Sequence, residues 1–231
     1  MDLSIIIPAY NEENVIASTV ENYLQSFRQQ KKSFEIIIVP NNCKDRTVEI
    51  VDMLSHRHKE IKYKNIPYKI GKGGAIIEGF RLAQGDLIVY VDADNATKPE
   101  TVTAIINNVG DADVVMGSRW LKRSLITKPQ PLVRRYASRG FNLYVRLLLG
   151  LQFTDTQAGA KVFRKEAIQE ILPKIRPEGW AFDVGVLYLL KKEGFKIKEI
   201  PIVWEDNPDS HLTKRAVVQM FLSVLRIRLR K

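Results

Sequence analysis

The sequence predicts an α/β fold, a mostly parallel sheet with helices on its faces, from three observations. Apolar runs of strand length recur at 3–7, 34–39, 61–65, 87–91 and 113–116. Helical patterns fill the gaps near 12–29, 45–56, 73–84 and 99–108. No Pro-, Gly- or Ser-rich linker interrupts this alternation, and no internal repeat is present. Strand–helix–strand rhythm of this kind builds parallel sheets covered by helices. The chain of 231 residues is long enough for one such domain with a substantial core.

The first element, Ile5-Ile6-Ile7, runs into Pro8-Ala9-Tyr10-Asn11-Glu12-Glu13, a proline-marked turn and a helix start. Asn11 suits an N-cap there, with acids in the first turn where the helix dipole favours them. The second strand ends in Pro40-Asn41-Asn42-Cys43-Lys44-Asp45-Arg46-Thr47, a polar turn that lies beside the first if the two strands are neighbours. Gly71-Lys72-Gly73-Gly74-Ala75 precedes a helix, where free N–H groups and a lysine can meet an anion. The spacing is not that of a Walker loop, and no Gly-x-Gly-x-x-Gly follows the first strand.

The fourth strand ends at Asp92-Ala93-Asp94. Residues i and i+2 of an extended chain point the same way, so two carboxylates crowd one side. A hard divalent cation such as Mg²⁺ or Mn²⁺, shared with substrate phosphates, would relieve them. Strand carboxyl ends are also where open α/β sheets bind ligands. A loop with two acidic caps would account for the same residues. The second half reads as a basic apolar segment at 131–151, a strand–helix unit near 160–172, a helix at 183–193, a strand at 197–203 and a basic tail helix from about 213. Asp183 opens its helix and suits an N-cap.

Charge is divided unevenly. Residues 1–115 hold 13 Lys and Arg against 16 Asp and Glu, and residues 116–231 hold 23 against 10, for a net charge of +10. A basic half fits nucleic acid, an anionic membrane surface or a phosphorylated substrate. A nucleic-acid binder is the rival of another class, although no recognition motif is present and the acidic half would repel phosphate. The single cysteine, Cys43, excludes an intrachain disulfide and reads as a small packing residue. The chain opens straight into a strand, and no apolar run reaches the ~18 residues of a membrane span, so a soluble or peripheral protein is expected. The segments 132–151 and 213–231 mix Arg and Lys with Leu, Val, Ile and Phe, as helices lying in a headgroup layer do. Packing of their apolar faces on the domain, or on a second copy in a homo-oligomer, is the other reading.

Taken together, Pro8 to Glu13, the turn ending in Asp45, Lys72-Gly73-Gly74-Ala75, Asp92-Ala93-Asp94 and Gly117-Ser118-Arg119 resemble the family-2 glycosyltransferases of the GT-A fold. The runs 92–98, 155–163 (Asp-Thr-Gln-Ala-Gly-Ala-Lys-Val-Phe) and 180–184 (Trp-Ala-Phe-Asp-Val) look like the dolichyl (polyprenyl) phosphate β-glucosyltransferase branch, relatives of the mannosyltransferases. The resemblance implies a Rossmann-like GT-A domain over 1–211 and a basic amphipathic helix over 212–231. It implies an inverting enzyme that moves glucose from UDP-glucose to a polyprenyl phosphate at the cytoplasmic membrane face, with GDP-mannose as the alternative donor. Pro8, Ala9, Tyr10, Glu12, Asn41, Asp45, Lys72, Asp92 and Ala93 would line the nucleotide side. Asp92 and Asp94 would hold Mg²⁺ or Mn²⁺. Arg119, Arg134, Arg135, Arg139, Gln157 and Lys161 would meet the acceptor phosphate, and Asp183 would orient the acceptor. Asp94, Asp183 and Arg119 form the expected catalytic set. Two departures stand out: Pro40-Asn41-Asn42-Cys43 replaces the common Asp-Asp-Gly-Ser, and Ala96 stands where the mannosyltransferases usually carry Gln, which leans toward glucose.

Overall fold

The computed structural model describes residues 1–30, 32–128, 132–177, 179–205 and 214–229. Strands β1 (Leu3–Ala9), β2 (Phe34–Pro40), β3 (Ile61–Tyr63), β4 (Leu87–Tyr90), β5 (Val114–Ser118), β7 (Lys161–Arg164) and β8 (Ile197–Pro201) form one sheet in the order β3-β2-β1-β4-β7-β5-β8. All run parallel except β7, which is antiparallel to both β4 and β5. A separate parallel pair joins β6 (Leu125–Lys128) to β9 (Val203–Glu205).

Helices cover both faces. On one side α1 (Ile16–Gln29), α2 (Thr47–Arg57) and α4 (Pro99–Ile106) pack Val20, Tyr23, Val51 and Val102 against Ile5, Ile7, Ile36, Ile38 and Val89. On the other, α3 (Gly71–Leu82), α6 (Lys165–Ile171) and α7 (Phe182–Lys192) pack Ile76, Phe80, Ile168 and Val186 against Ile6, Ile37, Ile88 and Phe163. Successive strand residues thus feed opposite cores, which is why β1 and β2 are continuously apolar and wholly buried. A side chain at Gly79 would collide with Ile6, so α3 sits tight on β1 only because that position is glycine.

A third cluster joins α5 (Leu132–Leu149) and α8 (Lys214–Leu229) to α7 through Phe141, Val145, Leu149, Met220, Val224, Ile227 and Leu187. Phe221 meets Phe141 and Tyr144 at ring separations of 5.4 and 4.9 Å. One face of each amphipathic helix therefore packs on the domain, while Tyr136, Leu143, Leu147, Val218, Leu222, Leu225 and Leu229 stay exposed on their other sides. Among the described residues no helix is long and apolar enough to cross a membrane.

Three local expectations change. The strand expected at 197–203 is two strands in two sheets, and its second part pairs with β6, an element the sequence did not suggest. Asn11 is not an N-cap: α1 begins only at Ile16, after a turn, and Asn11 takes a left-handed φ of 56°. Asp183 is not one either, because Ala181 occupies that place and Asp183 lies inside the first turn of α7.

Candidate active site

Strand order reverses between β1 and β4: the chain leaves β1 toward β2 and β3, whereas β4 leads to the other half of the sheet. Such switch points open a crevice at the strands' carboxyl ends. Tyr10–Glu13, Asn41–Thr47 and Asp92–Asn95 all emerge there. Each of the three turns carries an asparagine at positive φ: Asn11 at 56°, Asn42 at 54° and Asn95 at 58°. Asparagine tolerates this region better than other residues with a side chain, and it can bond locally. Asn11 does so, accepting the Lys44 N–H on Oδ1 at 2.8 Å.

The first two turns lock together. Glu12 N–H donates to Thr47 Oγ1 at 2.7 Å, Glu13 N–H to Asp45 Oδ2 at 3.1 Å, and Arg46 N–H to Glu13 Oε2 at 3.0 Å. Asp45 is consumed in this clasp, also accepting the Thr47 hydroxyl at 2.6 Å. Burial raises its pKa, but those hydrogen bonds outweigh it and hold the carboxyl below the ordinary value. Asn41 is buried, with Nδ2 donating to Ala9 O at 3.1 Å, and the Cys43 thiol reaches the same carbonyl at 3.6 Å. Pro8, Ala9 and Ala93 are buried and offer backbone rather than side chains, with Ala93 O taking the Thr19 hydroxyl at 2.7 Å. Tyr10 is 53% exposed at the crevice mouth.

Asp92, Asp94, Glu12 and Asp45 make the crevice strongly anionic. Burial, then the charges of Asp94, Asp92 and Asp45, push the Glu12 carboxyl up to about 7. Lys72, in the first turn of α3, meets Asp92 in an ion pair. Burial depresses the Lys72 ammonium pKa, but Asp92, Asp183 and Asp94 together raise it above the ordinary value. Asp94 Oδ1 accepts Ala96 N–H at 3.0 Å, and the neighbouring Asn95 Oδ1 is buried with no hydrogen-bond partner. An all-oxygen set with mutual repulsion and an orphaned buried oxygen fits a hard divalent cation. Among the described residues no three His, Cys, Asp or Glu side chains converge on one point, so a cation here would complete its shell from water and substrate.

The remaining expected residues gather around residues 153–161, the loop that enters β7. Gly159 lies beside Asp92: a Cβ there would come within 3.5 Å of Asp92 Oδ2 and 3.2 Å of Thr97 Oγ1. Asp155, at the other end, is buried and grips Arg119 bidentately at 2.7 and 2.9 Å while also accepting Arg119 N–H at 3.0 Å. Glu199 of β8 accepts Thr154 N–H at 2.8 Å and Asp155 N–H at 3.0 Å, and Asn142 of α5 donates to Phe153 O and Thr154 O at 2.8 and 2.9 Å. Gln157 is half-buried on this loop.

Lys161, expected at an acceptor phosphate, is instead fully enclosed. Its ammonium donates to Asp183 Oδ1 at 2.5 Å and Ala158 O at 2.7 Å, and lies 5.7 Å from the centre of the Tyr90 ring. Asp183 also accepts the Tyr90 hydroxyl. Burial raises the Asp183 pKa, but Lys161 and Lys72 bring it below the ordinary value, so this carboxyl is held ionised. Arg135 and Arg139 are exposed on α5, and both stand over the Trp120 ring. Arg134 is on the first turn of that helix, and its side chain, like that of Trp180, lies outside the described residues.

Trp120, Asn142, Asp155, Glu199 and Trp204 were not singled out from the sequence. Asp155 stood inside a quoted run, but its buried arginine partner is 36 positions away. Glu199 breaks the apolar–charged alternation of Phe195–Lys198, and its backbone partners lie 44 and 45 positions away.

Comparison with known proteins agrees with this architecture. The chain is 33% identical over 233 residues to Glycosyltransferase AglD of Haloferax volcanii, covering 98% of this chain and 37% of that one. It is 32% identical over 242 residues to a dolichyl-phosphate beta-glucosyltransferase of Dictyostelium discoideum, covering 99% and 74%. The chain therefore spans little more than a third of AglD and about three quarters of the Dictyostelium protein. Among solved structures, glucosyl-3-phosphoglycerate synthase of Mycobacterium tuberculosis, crystallised with Mn²⁺, UDP and phosphoglyceric acid, superposes with a TM-score of 0.72 at 15% identity, covering 99% of this chain and 78% of that one. That likeness shows the GT-A fold expected from the sequence. The sequence pattern described as Glycosyl transferase family 2 matches residues 4–172, and the chain belongs to that family.

Proposed function

We propose that this chain transfers glucose from UDP-glucose to a dolichyl or polyprenyl phosphate, with inversion at the anomeric carbon. The observation that carries the proposal is the loop at 153–161, which passes beside Asp92 at one end and holds Arg119 at the other. A donor diphosphate at the acidic pair and an acceptor phosphate at the arginines would thus share one wall. Relatives named dolichyl-phosphate beta-glucosyltransferases at 28–32% identity over nearly the whole chain support the choice of sugar and acceptor.

Asp92 and Asp94 are the residues that would hold Mg²⁺ or Mn²⁺, and the cation would neutralise charge on the departing diphosphate. Lys72 is positioned to add a second positive charge on that side. Tyr10, exposed at the mouth, offers a ring to the base, and Asn41, with its amide nitrogen engaged by Ala9 O, leaves an oxygen to accept a base N–H. A phosphate monoester has its second pKa near ~6, so the attacking oxygen is ionised at pH 7 and needs no general base. That oxygen forms the new bond to the anomeric carbon as the bond to UDP breaks, and UDP leaves with the electron pair. Asp183, held ionised by Lys161 and Lys72, acts in this reading by fixing Lys72 and the floor of the site rather than by taking a proton. Arg119, Arg135 and Arg139 would dock the acceptor phosphate.

An acceptor with an isoprenoid tail meets the enzyme at a bilayer. The exposed apolar residues of α5 and α8, interleaved with exposed Arg135, Arg139, Arg146, Arg226 and Arg228, suit an anionic membrane surface, here assigned to the cytoplasmic face. The test is transfer from UDP-glucose, with GDP-mannose in parallel, to a short polyprenyl phosphate with Mg²⁺ or Mn²⁺. Asp94→Ala should lower transfer by at least about a hundredfold and remove Mn²⁺ binding seen by calorimetry. Undiminished transfer in that variant, or mannosyl transfer only, overturns the assignment.

A further inference from the structure

Trp120 gathers arginines from two parts of the chain. Its ring centre lies 5.5 Å from the Arg135 guanidinium carbon and 5.2 Å from that of Arg139. Arg119, the preceding residue, stands 5.9 Å from the same ring and 5.1 Å from the ring of Trp204. Arg135 and Arg139 are one helical turn apart on α5 and share a face, where like charges repel. Among the described residues neither is paired with a carboxylate, whereas Arg119 is held by Asp155. Three guanidinium groups thus gather around the one Trp120 ring at the acceptor end of the site.

We propose that Trp120 is a positioning residue for acceptor recognition: its ring face holds Arg135 and Arg139 side by side so that their N–H groups converge on a phosphate monoester. The inference rests on the acceptor reading above. The indole is the strongest aromatic partner for a guanidinium. It fixes two long side chains without cancelling their charge, as a carboxylate would, so the field left for a dianion is undiminished. Rotamer freedom that the arginines would otherwise lose on binding is already restricted, which favours capture of the phosphate.

The test is steady-state kinetics of glucosyl transfer, varying a short polyprenyl phosphate at saturating donor and then the reverse, with inorganic phosphate as competitor. Trp120→Leu should raise the acceptor KM by about five- to thirtyfold, the loss expected for two weakened cation–π contacts. Donor KM and kcat should stay within about threefold, and the inhibition constant of inorganic phosphate should rise in step with the acceptor KM. Trp120→Phe, which keeps a ring face, should recover most of the loss. Trp120→Gln, suited to a partly exposed position, replaces the leucine variant if the latter does not fold. An acceptor KM unchanged in Trp120→Leu but raised in Arg135→Ala/Arg139→Ala overturns the role of Trp120 and spares the acceptor reading. If the double arginine variant also leaves the acceptor KM unchanged, the acceptor reading fails as well. A rise in lipid KM without a rise for inorganic phosphate shows the ring touching the lipid tail instead, and a joint fall in kcat and donor affinity shows a merely structural residue. Either result overturns the proposal.

Discussion

Replacing Asp155 by Asn keeps the size of the side chain and removes its charge from beneath Arg119. The pair is well enclosed, with side-chain exposures of 10% for Arg119 and 2% for Asp155, and three hydrogen bonds of 2.7 to 3.0 Å join them. Removing one member of a buried pair strands the other charge and typically costs about 3–5 kcal/mol. Asn retains one acceptor oxygen but turns an amide N–H₂ toward the guanidinium, so the lower end, about 3 kcal/mol, is expected. For a domain of this size that corresponds to a melting point lower by roughly 6–12 °C. Urea unfolding at pH 7 measures the loss directly. Arg119→Met alone should also destabilise, and the double variant should be more stable than the sum of the singles predicts, because neither charge is then stranded. A loss below about 1 kcal/mol in Asp155→Asn, or strict additivity in the cycle, would show that the pair is not a buried anchor.

Two further outcomes follow from the crevice and the helices. The Glu12 carboxyl, at about 7 against an ordinary 4.5, binds its proton more tightly folded than unfolded, so its contribution to stability is complete below pH 4.5 and is lost as pH rises through about 7. Urea unfolding of metal-free protein across that window should show a fall that Glu12→Gln flattens; equal slopes in the two proteins contradict the anionic crevice. Leu147 and Leu229 are 79% and 72% exposed, so Leu147→Glu/Leu229→Glu should lower binding to vesicles rich in anionic lipid by on the order of tenfold or more while leaving the melting point unchanged. Undiminished co-sedimentation would remove these faces from the membrane contact.

The regular part of the fold was legible because its signals are local. β1 and β2 are uniform apolar runs whose two faces both find helices, and α7 begins within one residue of its sequence pattern, whereas α3 begins at Gly71 and takes in the Gly71–Ala75 run expected to precede it. The acidic pair was legible for a related reason, since Asp92 and Asp94 are two positions apart and at the end of a strand. The surroundings of Arg119 and Lys161 were not. Arg119 and Lys161 both read as cations for an acceptor phosphate, until Asp155 is seen to hold the first and Asp183 and Tyr90 to enclose the second. β6 and β9 are a short irregular pair, too brief to leave a periodic signature. Asn11 and Asp183 were misplaced as caps because Asn and Asp suit several turn geometries, and only tertiary contacts select among them.

The crevice turns where Asn11, Asn42 and Asn95 bend the chain through a region that few side chains accept. Such corners leave little freedom to search, and at Asn11 the side chain bolts one corner to its neighbour. The crevice mouth is consequently set when the chain folds, and the sugar nucleotide proposed to bind there should demand little rearrangement on that side.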